Sequence, residues 1–428
     1  MFSNEVTKKL KLLTKNTFLI YVLFLLFISI QTIIYCTLIV KINPDLINYS
    51  GEYQIDRIGF DFNEIITSLI NNQTPKTNYV GIDFYISRMP ALPYFLVFVS
   101  KLITKNFLLI HLLKNIFFGT LIFLTIKFFD KKNSNFLLII CLVSIFYIPH
   151  NVVTILSTNF EEGFLIYLII ILFFILNSKF KYKSFYAGLY ISIIFFLKAS
   201  MFYLCAGLSL IIIFTEKKIY RFIPLLFFIV SSIAWGAYSF NKTNRFVFGP
   251  SNTSLNGLTT QVVFHKEFNN YYPKYNPDIF SKKVWEDVNK KKFKNEWEVN
   301  DYAYSKSIEY IKNNPYDILI GLAKKLYILF LSPFKDTIQD DQFENKIRYS
   351  NLPNKFIFII SIILLIKSSI NFKKLDNFKL LLNIYFASIL ALYLFPYLSV
   401  YIFPRHCIPV YILSHLYLIL SFAKLNKK

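Results

Sequence analysis

The chain is 428 residues long, 55% of them apolar, and carries a formal net charge of +22. Its apolar stretches approach the ~20 residues needed to cross a bilayer, which excludes an ordinary soluble globular enzyme. The lysines lie mostly in short segments between those stretches, as the positive-inside bias dictates, so the charge does not call for a nucleic-acid partner.

The first apolar run, Thr17–Val40, follows Lys8, Lys9, Lys11 and Lys15. It is too long for a signal-peptide core and lacks a small-residue cleavage site, so it reads as an anchor with a cytoplasmic N-terminus. The polar stretch 41–105 then lies outside. Within it Ile58, Phe62, Ile65, Ile66 and Leu69 recur at helical spacing, opposite Arg57, Asp61, Glu64 and Ser68. This predicts an amphipathic helix on the membrane surface. Residues 90–103 are apolar but short, and read as a juxtamembrane helix.

Further spans are expected at 106–126, 135–149 and 164–177, at 185–197 and 199–214 as a hairpin around Lys198, and at 222–240. Basic links at 127–132, 179–183 and 215–221 fall inside, which places 241–315 outside. Residues 316–332 are apolar but contain Lys324 and Lys325, and read as an interfacial or re-entrant helix. Spans at 355–370, 380–398 and 407–423 complete the chain. The expected organisation is an N-terminal membrane module (1–240), an outer loop with an interfacial helix (241–334), and C-terminal spans (335–428).

The four cysteines, Cys36, Cys141, Cys205 and Cys407, form no close-spaced pair, so neither a zinc site nor a disulfide framework is expected. No H-E-x-x-H, phosphate-loop or G-x-S-x-G motif occurs. The candidate chemistry is therefore carried by charged residues near the outer face. Asp56 and Asp61 are carboxylates close to the membrane, suited to deprotonating an incoming hydroxyl or amine. Asp83, Glu161 and Glu162 are further outer acids. The last two open a helix, where the dipole alone accounts for their placement. Arg88-x-Pro90-x-x-Pro93 sets a guanidinium just before a proline-started helix, at phosphate level, where its fork can grip two oxygens. Lys114 sits in the outer third of a span and Lys198 at an outer hairpin; snorkelling accounts for the second. Arg405 lies in Phe403-Pro404-Arg405-His406-Cys407-Ile408-Pro409, just before the last span.

Taken together, this layout resembles the GT-C class of membrane glycosyltransferases, in the branch of the protein O-mannosyltransferases and the lipid A aminoarabinose transferase. The resemblance rests on Asp56 or Asp61 in the first outer loop, Arg88-x-Pro90-x-x-Pro93, Glu161 or Glu162, the loop 241–315, and Arg405-x-x-x-Pro409. It implies an all-α bundle of about 10–12 membrane-spanning helices with two extracytoplasmic loops. It also implies a sugar donor on a polyprenyl phosphate or pyrophosphate, and an extracytoplasmic lipid, glycan or protein acceptor. Asp56 or Asp61 would be the base, while Arg88, Lys114, Lys198 and Arg405 would hold the donor phosphate. Asp83, Glu161 and Glu162 would serve the acceptor or support the site. The resemblance further points to a divalent metal at His265 with Asp83. A lipid-linked oligosaccharide flippase and a surface-polysaccharide polymerase are the alternatives; a flippase is expected to set charges along a central path and to show repeated halves.

Overall fold

The computed structural model describes residues 17–42, 60–79, 81–103, 106–129, 161–178, 182–215, 219–251, 286–288, 290–331, 352–371, 375–399 and 404–422. The fold is all-α apart from one small hairpin. Among the described residues four helical stretches are long and apolar enough to cross a membrane: Leu108–Thr125, Ile219–Thr243, Leu352–Ile370 and Asn377–Leu398. Shorter apolar helices cover Phe18–Ile34, Ala91–Leu102, Lys183–Leu197, Ala199–Phe214 and His406–Ser421. These are the lengths and composition of an integral membrane protein. The expected span 135–149 lies outside the described residues.

Helix α1 (Thr17–Ile42) presents Ile20, Phe24 and Ile28 inward, one turn apart, and leaves a wide apolar face uncovered. It packs along α4 (Phe107–Phe129). A Cβ on Gly119 would stand 2.7 Å from the Ile28 side chain, so the glycine sets how closely the two helices approach. Polar groups cross the same seam. Tyr21 and Thr120 hydroxyls bond at 3.0 Å, and the Asn115 amide donates to Thr32 at 3.1 Å.

Between these helices lies the first-loop unit. Helix α2 (Phe60–Ile70) buries Ile65 and Ile66 as its amphipathic pattern requires. Ser68, expected on the polar face, is buried too, because its hydroxyl bonds back to the Glu64 carbonyl at 2.8 Å and needs no water. Strands β1 (Thr77–Tyr79) and β2 (Ile82–Phe84) pair antiparallel in the register Thr77↔Phe84, Asn78↔Asp83, Tyr79↔Ile82. Gly81 turns the hairpin at φ +80, a conformation that a side chain would oppose. Helix α3 (Ala91–Leu102) follows, capped by Pro90. Its 12 residues reach only about 18 Å, too short to cross.

Helix α5 (Glu161–Asn177) is the centre of the bundle: every residue from Glu161 to Leu176 is buried. It touches α4, α6 (Lys183–Leu197), α12 (Asn377–Ser388) and α13 (Pro404–Phe422). A helix that is apolar all round belongs inside. A 3-10 turn, Ala199–Met201, joins α6 to α7 (Phe202–Thr215), forming the expected hairpin at Lys198. A second 3-10 turn, Ile219–Phe222, leads into α8 (Ile223–Thr243). Helix α12 continues through a π turn, Ile389–Tyr393, into Leu394–Ser399. Helix α11 (Leu352–Ile370) lies against α13.

Outside this bundle, α9 (Glu296–Asn313) is capped by the Asn295 side chain, which accepts from Trp297 and Glu298. Phe84 of β2 packs with Val288, Val299 and Ala303 in a small satellite core. Helix α10 (Pro315–Phe330) packs on α11, α13 and Leu394–Ser399.

Candidate functional site

Two groupings of the sequence-picked residues emerge. The first surrounds Arg88. Its segment is hydrogen-bonded from three directions before it reaches the arginine. The Glu296 carboxylate, arriving from α9, accepts the Tyr85 backbone N–H at 3.3 Å and the Ser251 hydroxyl. The Ser251 backbone N–H donates to the Ile86 carbonyl at 3.1 Å. The Thr77 hydroxyl of β1 donates to Ser87 at 2.8 Å in a buried contact. Arg88 therefore leaves a fixed backbone at the mouth of α3. It lines a cavity of about 220 Å³ together with Tyr85, Met89, Pro90, Pro93 and Tyr94 from its own segment, Ile65 and Pro75 from the loop unit, and Phe196, Ala234, Trp235 and Tyr238 from α6 and α8. Trp235 and Tyr238 stack at 5.5 Å, and the Trp235 indole donates to the Gly249 carbonyl. A cation at the edge of an aromatic box, beside two proline-stiffened turns, is chemically a place for an anion joined to a ring or chain.

Glu296 has no counterpart among the residues chosen from sequence. It is 2% exposed, and burial pushes its carboxyl up from the ordinary glutamate value, against the hydrogen bonds from Ser251, Tyr85 and Ile86. Nothing in Lys294-Asn295-Glu296-Trp297 distinguishes it from the exposed Lys294 and Asn295, because its partners are distant on the chain, Tyr85 by 211 residues and Ser251 by 45.

The second grouping joins the N-terminal end of α5 to the turn after α6 and the first turn of α13. Lys198 bonds both acids: Glu161 at 3.1 Å and Glu162 at shorter range. His406 Nε2 lies 3.4 Å from Glu162. The His406 ring stacks on the Tyr397 ring at 4.1 Å, the Lys198 ammonium stands 5.6 Å from the Tyr397 ring centre, and the Ser200 and Tyr397 hydroxyls bond at 3.0 Å. Tyr393, at the end of the π turn, donates to the His406 carbonyl at 2.9 Å, in the helix turn that Pro409 disturbs. Glu162 and His406 are 1% and 0% exposed. Buried charges need such pairing. Lys198, expected at the donor phosphate, here serves these carboxylates.

The remaining candidates are dispersed. Lys114 is 1% exposed and its ammonium stands 5.4 Å over the Phe164 ring, which also meets Phe95 of α3. Asp83 is held in the hairpin by Lys76 at 2.6 Å and Asn78 at 3.2 Å, and the bond from Lys76 keeps its carboxyl below the ordinary aspartate value. Asp61 falls in the first turn of α2 and Arg405 in the first turn of α13, but both side chains lie outside the described residues, as do Asp56 and His265. Among the described residues no three His, Cys, Asp or Glu side chains gather as a metal site. No protein-family model, curated protein or solved structure matches this chain.

Proposed function

We propose that this protein is an integral membrane glycosyltransferase of the GT-C type, resident in the cell membrane with its site on the extracytoplasmic face. It moves a sugar from a polyprenyl-phosphate donor to an extracytoplasmic lipid, glycan or protein. The observation that carries the reading is Arg88 at the aromatic cavity, on a segment whose backbone is held by Glu296 and Ser251 and whose Ser87 hydroxyl is held by Thr77. A fixed guanidinium stabilises the phosphate as its charge grows during glycosidic cleavage. Tyr and Trp rings offer faces for a sugar, and the neighbouring apolar walls suit the first units of a prenyl chain. Asp56, or Asp61 in the first turn of α2, acts as base on the acceptor hydroxyl, which displaces the lipid phosphate directly and inverts the anomeric carbon.

A flippase is less well supported. The central helix carries no charged residue between Gly163 and Asn177, and its two acids sit together at one end, bound to Lys198. Purification with co-extracted lipid and mass spectrometry tests the reading. A polyprenyl-phosphate sugar is expected on the wild type and is expected to be lost from Arg88→Ala. Retention of the same lipid by a folded Arg88→Ala protein would overturn the site; recovery of whole lipid-linked oligosaccharides would favour the flippase.

A further inference from the structure

The bundle holds a second, larger cavity at the end away from Arg88. It has a volume of about 710 Å³ and lies where α5 ends and α6 begins, bounded also by the end of α7 and the start of α12. Its walls are largely hydrocarbon, with Leu208, Ile211 and Leu381 among them, and Asn177, Lys183 and Ser184 also line it. None of the described lining residues is acidic. The nearby carboxylate of Asp376 is engaged as the N-cap of α12, accepting the Lys379 backbone N–H at 2.9 Å.

The sequence joining these helices is basic. Lys179 and Lys181 lie between α5 and α6, Lys217, Lys218 and Arg221 between α7 and α8, and Lys373 and Lys374 between α11 and α12, against Glu216 and Asp376. A hollow with largely apolar walls, lined also by an ammonium and a hydroxyl and by no described carboxylate, is complementary to one amphiphile: an anionic head on an apolar chain. The volume is in the range of pockets that enclose a ligand, roughly 300–1,000 Å³.

We infer that this cavity binds an anionic glycerophospholipid of the leaflet at that end, with one acyl chain between α6, α7 and α12 and its phosphate at Lys183 and Ser184. Basic residues at the membrane surface draw anionic lipid in this way. The site lies at the opposite end of α5 and α6 from the Arg88 cavity, and it stands whether or not the glycosyltransferase reading does.

The test is native mass spectrometry of the full-length protein, delipidated in detergent and titrated with phosphatidylglycerol or phosphatidylcholine of identical acyl chains. Phosphatidylglycerol is expected to bind first and to survive activation longer. Lys183→Gln, a change of charge that leaves the packing intact, should weaken that lipid about fivefold, the share of one lysine at a charged surface, and abolish the headgroup preference. Ile211→Trp should remove the tightly held lipid of both kinds, with thermal melting read in parallel and Ile211→Phe in its place if the tryptophan variant does not fold. Equal binding of the two lipids by the wild type, or undiminished phosphatidylglycerol on a folded filled variant, would overturn the assignment.

Discussion

At the scale of single residues, Arg88 and Glu296 make separable statements. Under the proposed function Arg88 holds phosphate through its fork, so Arg88→Lys keeps the charge but loses the geometry. Donor affinity should fall by about 1.5–3 kcal/mol, the worth of a hydrogen bond to a charged group. Arg405→Lys should behave alike, and the double variant should lose less than the sum if both arginines share one phosphate. Titrating a fluorescent polyprenyl-phosphate sugar into the three purified proteins reads this directly, and strictly additive losses would separate the two arginines. Glu296 predicts a pH effect. Its folded carboxyl sits above the ordinary value of 4.5 because it is buried, so the native state binds the proton more tightly than the unfolded chain. That contribution is complete below the ordinary glutamate range and is lost as pH rises through the raised folded value. Glu296→Gln removes the dependence. The melting temperature of the wild type should decline relative to the Gln variant as pH rises from about 4.5; parallel profiles would show that Glu296 does not dock α9 on the Arg88 segment.

At the scale of elements, four spans were legible among the described residues, fewer than the roughly 10–12 expected. The expected 106–126, 222–240 and 355–370 correspond to α4, α8 and α11, and 380–398 to α12 together with the π turn and Leu394–Ser399 that continue it. The centrality of α5 was not legible. Phe164–Leu176 is uniformly apolar, and a lipid-facing helix and a protein-buried one look the same when no polar face marks a direction. Nor was the destination of Glu161 and Glu162, since a dipole explains acids at a helix start without naming Lys198 or His406. Close pairing was equally hidden. A Cβ on Gly188 of α6 would meet Phe227 of α8 at 2.9 Å, its Cβ included among the atoms within 3.1 Å. The same seam carries Ser231 to Ser192 at 2.7 Å and Ser192 to the Phe227 carbonyl at 3.3 Å. Gly188→Ala should cost about 1–3 kcal/mol by overpacking, and Ser192→Ala about 0.5–1.5 kcal/mol. Urea unfolding in mixed micelles would rank them, and a neutral Gly188→Ala would mean that α6 and α8 separate freely.

At the scale of the whole molecule, chain direction sorts the ends. Helix α8 finishes at the Arg88 cavity through Trp235 and Tyr238, and α9 docks there through Glu296. Helix α13 starts beside Glu162, at the end of α5 opposite Asn177, and runs away from it. The outer loop and the C-terminus should therefore label from opposite sides of the membrane. With the four native cysteines replaced, a membrane-impermeant maleimide added to intact cells should reach Ser305→Cys on α9 and miss Asn426→Cys. Equal labelling would mean that α10 crosses fully and that the later half is inverted.

The central helix also dictates an order of assembly. Glu162 is synthesised 36 residues before the lysine that pairs with it, and the histidine beside it comes with α13. The 17 residues of α5 make a rod of about 25 Å, short against a hydrocarbon layer of about 30 Å, and it is sheathed by protein on all sides only once the chain is complete. During biogenesis α5 has only α4 among its final neighbours, and no counter-charge, until α6 and Lys198 follow, which favours handing α5 and α6 to the bilayer as one hairpin. A nascent chain stalled between them would be held by the insertion machinery.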